Sequence, residues 1–323
     1  MLSLTGTISL FVSSLTLRRD EVAFGCAPGE SSSKPAYTRT GDVIYGRKFG
    51  MALTMDVFEP VQKNGVGIVF LVNGAWYSSH DPETIPFPFP CVTPENYKPY
   101  LDSGYTVFAV VSSSAPKFTI PEIIEDLHRA VRFIHYNAAK FGINPDHLGI
   151  LGSSSGGHLA LMIATQGGRG PADAKDPVDR ESSAVGAVAC FFPPTDFMNW
   201  GGTGVDAVGL ASMAPLDLAF GPRAYTEHGR QVLGREISPI YFVTSRLPPT
   251  LIIHGDADNV VPLQQSESFV KRATEVGAPP VKLVVRHGKG HGWGDFWKSQ
   301  EDVILFVEWF DEHLRGNKQI RGR

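Results

Sequence analysis

The stretch Leu148–Leu161, LGILGSSSGGHLAL, sets three serines and four glycines between two apolar runs. It reads as a strand, a very tight turn and a helix, with Ser154 at the centre of G-x-S-x-G (Gly152, Ser154, Gly156). A strand-to-helix elbow of this kind exposes a serine hydroxyl at the carboxyl end of a strand and places the next N–H, that of Ser155, at a helix N-terminus. Glycines at 152 and 156 are expected to remove side chains where the turn would clash. The motif alone is short enough to be an ordinary Gly/Ser turn. Its setting in FGINPDHLGILGSSSGGHLALMIAT, with a helix end and an apolar strand before it and a helix after it, favours a nucleophile at Ser154 over its neighbours Ser153 and Ser155.

Outward from this stretch, short and nearly continuous apolar runs recur: GIVFLV (67–72), YTVFAVV (105–111), HLGIL (147–151), AVGAVACFF (184–192), TLIIHG (250–255) and VKLVV (281–285). Such runs suit strands covered on both faces. Helical spacing lies between and after them, in Ile123, Leu127, Val131 and Ile134, and again in Val303, Phe306, Val307, Phe310 and Leu314. Strands alternating with helices predict an α/β protein with a mostly parallel, doubly wound sheet. DVIYG and LTMDVF alternate around a Lys48-Phe49-Gly50 turn and predict an antiparallel hairpin at the N-terminal sheet edge. Residues 193–236 break the rhythm with Gly, Pro, Met and Trp and read as a lid-like insertion beside the site. The expected organisation is a leader or disordered extension with linker over 1–39, a catalytic domain over 40–316, and a polar tail over 317–323.

A serine nucleophile needs a base, an acid and donors for the oxyanion. In an elbow of this type the acid and base follow in the order Asp or Glu, then His, on loops after later strands. DADNVVPLQQS, after TLIIHG, offers Asp256 and Asp258; RHGKGHGWGDF, after VKLVV, offers His287 and His291. Asp256 reads best as a loop residue capping the strand end and His287 as a solvated surface histidine, leaving Asp258 as acid and His291 as base. The loop Asn73-Gly74-Ala75-Trp76, after GIVFLV, is expected to supply the N–H groups of Ala75 and Trp76 to an oxyanion hole completed by Ser155. Trp76 and Tyr77 are candidate substrate-binding residues.

These blocks resemble α/β-hydrolases of the esterase/lipase superfamily, and are most similar to the bacterial bifunctional acetylxylan and feruloyl esterases. The resemblance runs from about Asp42 to Leu314 and rests on YGRKFGMALTMDVFEP, on DLHRAVRFIHYNAAKFGINPDHLGILGSSSGGHLA, and on SPIYFVTSRLPPTLIIHGDADNVVPLQQSESF followed by GKGHGW. It implies an α/β-hydrolase fold, the same assignment of Ser154, Asp258 and His291, and acetylated or feruloylated saccharide esters as the substrate class. Two departures stand out. Asn73-Gly74-Ala75 replaces the usual His-Gly-Gly, and SSSAPKF (112–118) stands where relatives often carry a Tyr-Arg segment.

The expected activity is that of a serine carboxylic-ester hydrolase using an acyl-enzyme and no cofactor. Amide hydrolysis of the arylformamidase or prolyl-oligopeptidase type and a non-catalytic ligand-binding use of the fold are the alternatives. A metal hydrolase is disfavoured: His287 and His291 stand four apart, but HGKGHG is too glycine-rich for a helix and no Glu follows His287. A net charge of −4 with no basic run disfavours nucleic acid. The cysteines Cys26, Cys91 and Cys190 suggest neither a zinc site nor a disulfide framework. The apolar start MLSLTGTISLFVSSLTLRR has its arginines after the apolar run, so a secretory leader and a disordered extension both remain open, and with them a secreted or periplasmic against a cytoplasmic location. No later segment is long and apolar enough for a transmembrane helix. Sequence leaves the oligomeric state open.

Overall fold

Alternation of side-chain direction divides the apolar runs between the two faces of one sheet. The computed structural model describes residues 36–81, 94–294 and 296–315. Eight strands, β1 (Tyr37–Lys48), β2 (Met51–Pro60), β3 (Gly67–Leu71), β4 (Thr106–Val111), β5 (Leu148–Ser153), β6 (Ala187–Phe191), β7 (Thr250–Gly255) and β8 (Val281–Arg286), form a single sheet in the order β1-β2-β4-β3-β5-β6-β7-β8. β2 runs antiparallel to both β1 and β4, and the remaining neighbours are parallel. This is the α/β-hydrolase architecture, with the N-terminal hairpin at one edge as expected.

The helices are α1 (Pro94–Asp102), α2 (Ile120–Tyr136), α3 (Ala138–Phe141), α4 (Ser155–Gln166), α5 (Asp217–Phe220), α6 (Glu227–Glu236), α7 (Gln264–Glu275) and α8 (Gln300–Leu314). Val69, Leu71, Ile150, Val188 and Ile252 face one way and pack with Ile123, Leu127 and Val131 of α2, Leu159 and Met162 of α4, and Phe269 of α7. Ile68, Phe70, Leu151, Ala189 and Ile253 face the other way, against Tyr97 and Tyr100 of α1 and Val303, Phe306 and Phe310 of α8. Each large side chain so buried contributes roughly 1.5–3 kcal/mol of transfer free energy.

Three differences from the sequence reading have physical causes. β1 begins at Tyr37, inside the stretch read as linker, because an edge strand needs only one covered side and tolerates polar residues; its register runs from Tyr37 against Pro60 to Lys48 against Met51. β8 is the opposite edge and is half-buried along its length, whereas β3 to β7 are buried throughout. Residues 193–236 contain α5, α6 and several 3₁₀ turns, so the broken periodicity marks short helical pieces between glycines and prolines. On α8, Trp309 is buried and Val307 only partly so.

Sheet order decides where chemistry can sit. The chain passes from β3 to β4 on one side and returns to β5 on the other, so the loops leaving the carboxyl ends of β3 and β5 diverge and open a crevice. β5 approaches α8 closely: a Cβ at Gly149 would lie 2.7 Å from the Phe310 ring. Gly149→Ala is therefore expected to lower stability by about 1–3 kcal/mol through overpacking, read as a lower urea midpoint with unchanged denaturant slope; an unchanged midpoint would refute the close fit of β5 against α8.

Candidate active site

β5 ends at Ser153 and α4 starts at Ser155, so Ser154 alone makes the reversal, at φ 51° and ψ −121°. A non-glycine residue there is strained. It is held by its N–H to Phe191 O at 2.9 Å and by its carbonyl, which accepts from His158 N at 2.9 Å. A Cβ on Gly152 would fall 2.5 Å from the Gly156 carbonyl carbon and oxygen. At Gly156 the added atom would meet nothing nearer than 3.5 Å, so this glycine is not sterically required; a Cβ on Gly157 would lie 3.0 Å from Phe191 O, making that the more crowded position. Ser154 is partly accessible, while Ser153 and Ser155 are buried.

The loops after β7 and β8 bring His291 and Asp258 to this serine. His291 Nε2 lies 3.0 Å from Ser154 Oγ, and His291 Nδ1 lies 2.7 Å from Asp258 Oδ2. Asp258 Oδ1 accepts from the N–H groups of Val260 and Val261, both at 2.9 Å. The Phe192 ring, at φ 36° just past β6, stands 4.6 Å from the His291 ring centroid. Asp256 and His287 stand apart from this chain of contacts and pair with each other at 2.8 Å, with Asp256 also accepting from Gly288 N at 2.6 Å. They lash the β7 loop to the β8 loop, and the His287 side chain is 89% exposed.

Between β3 and α1, Gly74 and Tyr77 exchange backbone hydrogen bonds of 2.9 and 2.8 Å around Ala75 (φ 50°) and Trp76 (φ 62°). This is the two-residue turn with left-handed backbone at both central positions. Among the described residues no acceptor engages the N–H of Ala75, Trp76 or Ser155. Asn73 Oδ1 accepts from Ser155 Oγ at 2.8 Å, joining this loop to the elbow. The Trp76 indole is sealed, 2% exposed, against Phe197 and Phe220, while Tyr77 is half-buried.

Contacts that sequence reading did not anticipate come chiefly from buried histidines. His254, in β7, sets Nδ1 2.7 Å from Ser266 Oγ and Nε2 2.9 Å from Val261 O and 3.4 Å from Asp258 Oδ2. A lone histidine in the apolar run TLIIHG was the available signal, since a buried imidazole requires partners. His158 is the other. Its Nδ1 lies 3.1 Å from Trp76 Nε1, and its Nε2 lies 2.6 Å from Ile237 O.

Burial opposes charge on Asp258, but hydrogen bonds from His254 and His291, the His291 charge and the Val261 N–H outweigh it and hold the carboxyl well below its ordinary range. Burial pushes His158 down to about 4. His287 and His291 contribute to no three-ligand cluster; among the described residues the one such grouping is Asp42, Asp56 and His80, on the β1–β2 hairpin and the loop after β3. There Asp56 already receives Arg39 through Nε and Nη2. Cys190 is buried in β6, and Cys26 and Cys91, like the apolar start and the whole of the tail, lie outside the described residues. No described helix is long and apolar enough to cross a membrane.

Comparison with known proteins bears on this arrangement. The BD-FAE family model matches residues 55–273. A probable carboxylic ester hydrolase of Mycobacterium tuberculosis, LipM, is 24% identical over 76% of this chain and 54% of its own length. Esterase LipQ of the same organism is 28% identical over 56% of this chain and 41% of its own. The chain thus spans about half the length of these curated relatives. A truncated carbohydrate esterase from gut microbiota superposes with a TM-score of 0.71 at 25% identity, covering 88% of this chain and 99% of that one.

Acid stability follows from the buried groups. An imidazole held at about 4 in the folded chain against 6.5 when free contributes stability in full above 6.5 and loses it as pH falls toward 4, because the unfolded chain takes up the proton first. His128, also pushed by burial to about 4, acts in the same window; Asp258, with its lowered value, acts only below its ordinary 3.8. The urea midpoint is expected to fall between pH 6.5 and 4, and to fall less steeply in His158→Asn. Parallel curves for the two proteins would sink this assignment.

Proposed function

The chain belongs to the BD-FAE family, and on that premise we propose that it is a serine carboxylic-ester hydrolase acting through an acyl-enzyme on Ser154. One observation carries the reading: the unbroken contact series Ser154 Oγ, His291 Nε2, His291 Nδ1 and Asp258 Oδ2, at 3.0 and 2.7 Å. In the proposed reaction Ser154 Oγ attacks the ester carbonyl carbon while His291 Nε2 takes its proton. The carbonyl oxygen becomes an oxyanion within reach of the N–H groups of Ala75, Trp76 and Ser155. Collapse of the tetrahedral species breaks the bond to the alcohol, which leaves with the proton from His291. Water, deprotonated by His291, then attacks the acyl-serine, and the acid leaves with Ser154 restored.

Asp258 carries the opposing charge for the imidazolium formed in each half-reaction. Its Oδ1 accepts from two backbone N–H groups, so the carboxylate is held against turning away from His291 on Oδ2. Short-chain esters, with acetyl- or feruloyl-type saccharide esters as the natural class, are the proposed substrates. LipM and LipQ, named as ester hydrolases, and the carbohydrate esterase support this direction.

Turnover of p-nitrophenyl esters from acetate to octanoate is expected to be fastest on short acyl chains. Ser154→Ala should lower kcat/KM by at least ~10³-fold, and Asp258→Asn by roughly 10³- to 10⁴-fold. An organophosphate should label Ser154 in the wild type and leave Ser154→Ala unlabelled. Folded wild-type protein that neither turns over nor labels would overturn the reading and favour ligand binding without catalysis.

A further inference from the structure

The oxyanion turn poses a mechanical problem. Ala75 and Trp76 both hold positive φ, at 50° and 62°, and neither is glycine. Left-handed backbone is strained for a non-glycine residue, so the turn persists only if its surroundings over-determine it. Backbone bonds supply part of the restraint: the Gly74–Tyr77 exchange, and Ala115 N donating to Trp76 O at 3.0 Å. The rest comes from the indole. Trp76 Nε1 can only donate, so His158 Nδ1 must accept and the His158 proton must sit on Nε2, where it is donated to Ile237 O. Every polar atom of the imidazole is used, and its tautomer is fixed by its partners.

His158 lies on α4, four residues beyond Ser154, on the helix whose first N–H belongs to Ser155. One imidazole thus ties the turn bearing two oxyanion donors to the helix bearing the third. Its other nitrogen reaches into the segment between β6 and β7. Ile237 caps α6 there, and the next residue, Ser238, accepts from Phe197 N at 2.8 Å and donates to Gly234 O at 2.5 Å, joining the stretch just after β6 to the end of α6. Phe197 also packs on both rings, 5.3 Å from His158 and 6.0 Å from Trp76.

We propose that His158 is a positioning residue, whose imidazole sets the oxyanion turn through the Trp76 indole and makes the placement of those donors depend on the segment between β6 and β7. The inference rests on the proposed oxyanion hole. It requires no contact between His158 and substrate. A loosened turn would still bind the ester but would stabilise the tetrahedral oxygen less, and misplacement of a catalytic group by about 1 Å can cost ~100-fold.

The test uses the full chain and four proteins: wild type, Trp76→Phe, His158→Gln and His158→Leu. Trp76→Phe keeps an aromatic ring against Phe197 and Phe220 but deletes the N–H donor together with the second ring of the buried indole, so its loss is read beside the two His158 variants, which leave the indole in place. His158→Gln keeps an acceptor and a donor; His158→Leu removes both. Organophosphate titration counts competent sites, p-nitrophenyl acetate gives kcat and KM per site, and an alkylboronic acid, whose adduct with serine places an oxygen where the oxyanion forms, gives an inhibition constant. Trp76→Phe is expected to lower kcat per titrated site by about 10- to 100-fold with KM changed less than threefold, and to weaken boronate binding by a similar factor. His158→Gln should retain more kcat than His158→Leu.

A kcat per site within twofold of wild type in Trp76→Phe and His158→Leu, with loss confined to the urea midpoint, would show a purely structural role and overturn the proposal. Equal kcat in the two His158 variants would overturn it too, and this comparison decides the matter if Trp76→Phe does not fold. Failure of the parent reading looks different: wild type itself would then neither turn over nor titrate.

Discussion

The backbone at Ser154 is the constraint from which the site is built. Turning from strand to helix within one residue forces φ to 51° and brings the Gly152 Cα so close to Gly156 that no side chain fits at 152. The strain is borne by the sheet. Ser154 N donates to Phe191 O, extending the β5–β6 pairing one residue past the strand, and the first turn of α4 closes on Ser154 O through His158 N. A hydroxyl on such a rigid, twice-anchored residue has little freedom to lose on reacting, which is the condition for a preorganised nucleophile.

The same economy governs the loops that approach it. β7 and β8 are parallel neighbours, and their pairing continues beyond the strands: Asp256 N donates to Arg286 O, and Ala257 N to Lys289 O at 3.0 Å. Gly255 allows this, since a Cβ there would lie 2.1 Å from Lys289 O. The Asp256–His287 pair adds a side-chain tie across the same gap. Asp258 and His291 therefore leave one stiff two-loop unit, and their 2.7 Å contact does not depend on two independent loops meeting.

This hierarchy explains what could be read without coordinates. The strands were legible because buried strands must be apolar on both faces, and the runs at 67–72, 105–111 and 250–255 mark β3, β4 and β7 to within a residue. The elbow was legible because its geometry leaves no room for a side chain at Gly152, although Gly156 completes the motif without being required by space. The choice of Asp258 over Asp256 rested on order and resemblance, and the structure sets Asp258 beside His291 and Asp256 beside His287. The links through His158, His254 and the Asn73–Ser155 pair left no periodic signature, because each joins positions from 4 to 82 residues apart through single side chains. Residues 193–236 were opaque for a related reason: helical pieces of three to ten residues are too short to show a period.

Environment, not residue type, separates the histidines. His158 faces an indole donor on one nitrogen and a carbonyl on the other, inside a fully buried pocket with no carboxylate among its hydrogen-bond partners. A second proton would break the Trp76 bond and leave a charge without a counterion, so the ring is held neutral and serves as a fixed strut. His291 faces a hydroxyl and a carboxylate, with the Phe192 ring beside it. Taking a proton from the hydroxyl leaves its bond to Asp258 intact and sets the new positive charge against a negative one. In the proposed reading the two imidazoles thus have opposite tasks around Ser154: His158 holds the frame of the turn through Trp76, and His291, in contact with Ser154 Oγ and Asp258, passes the proton.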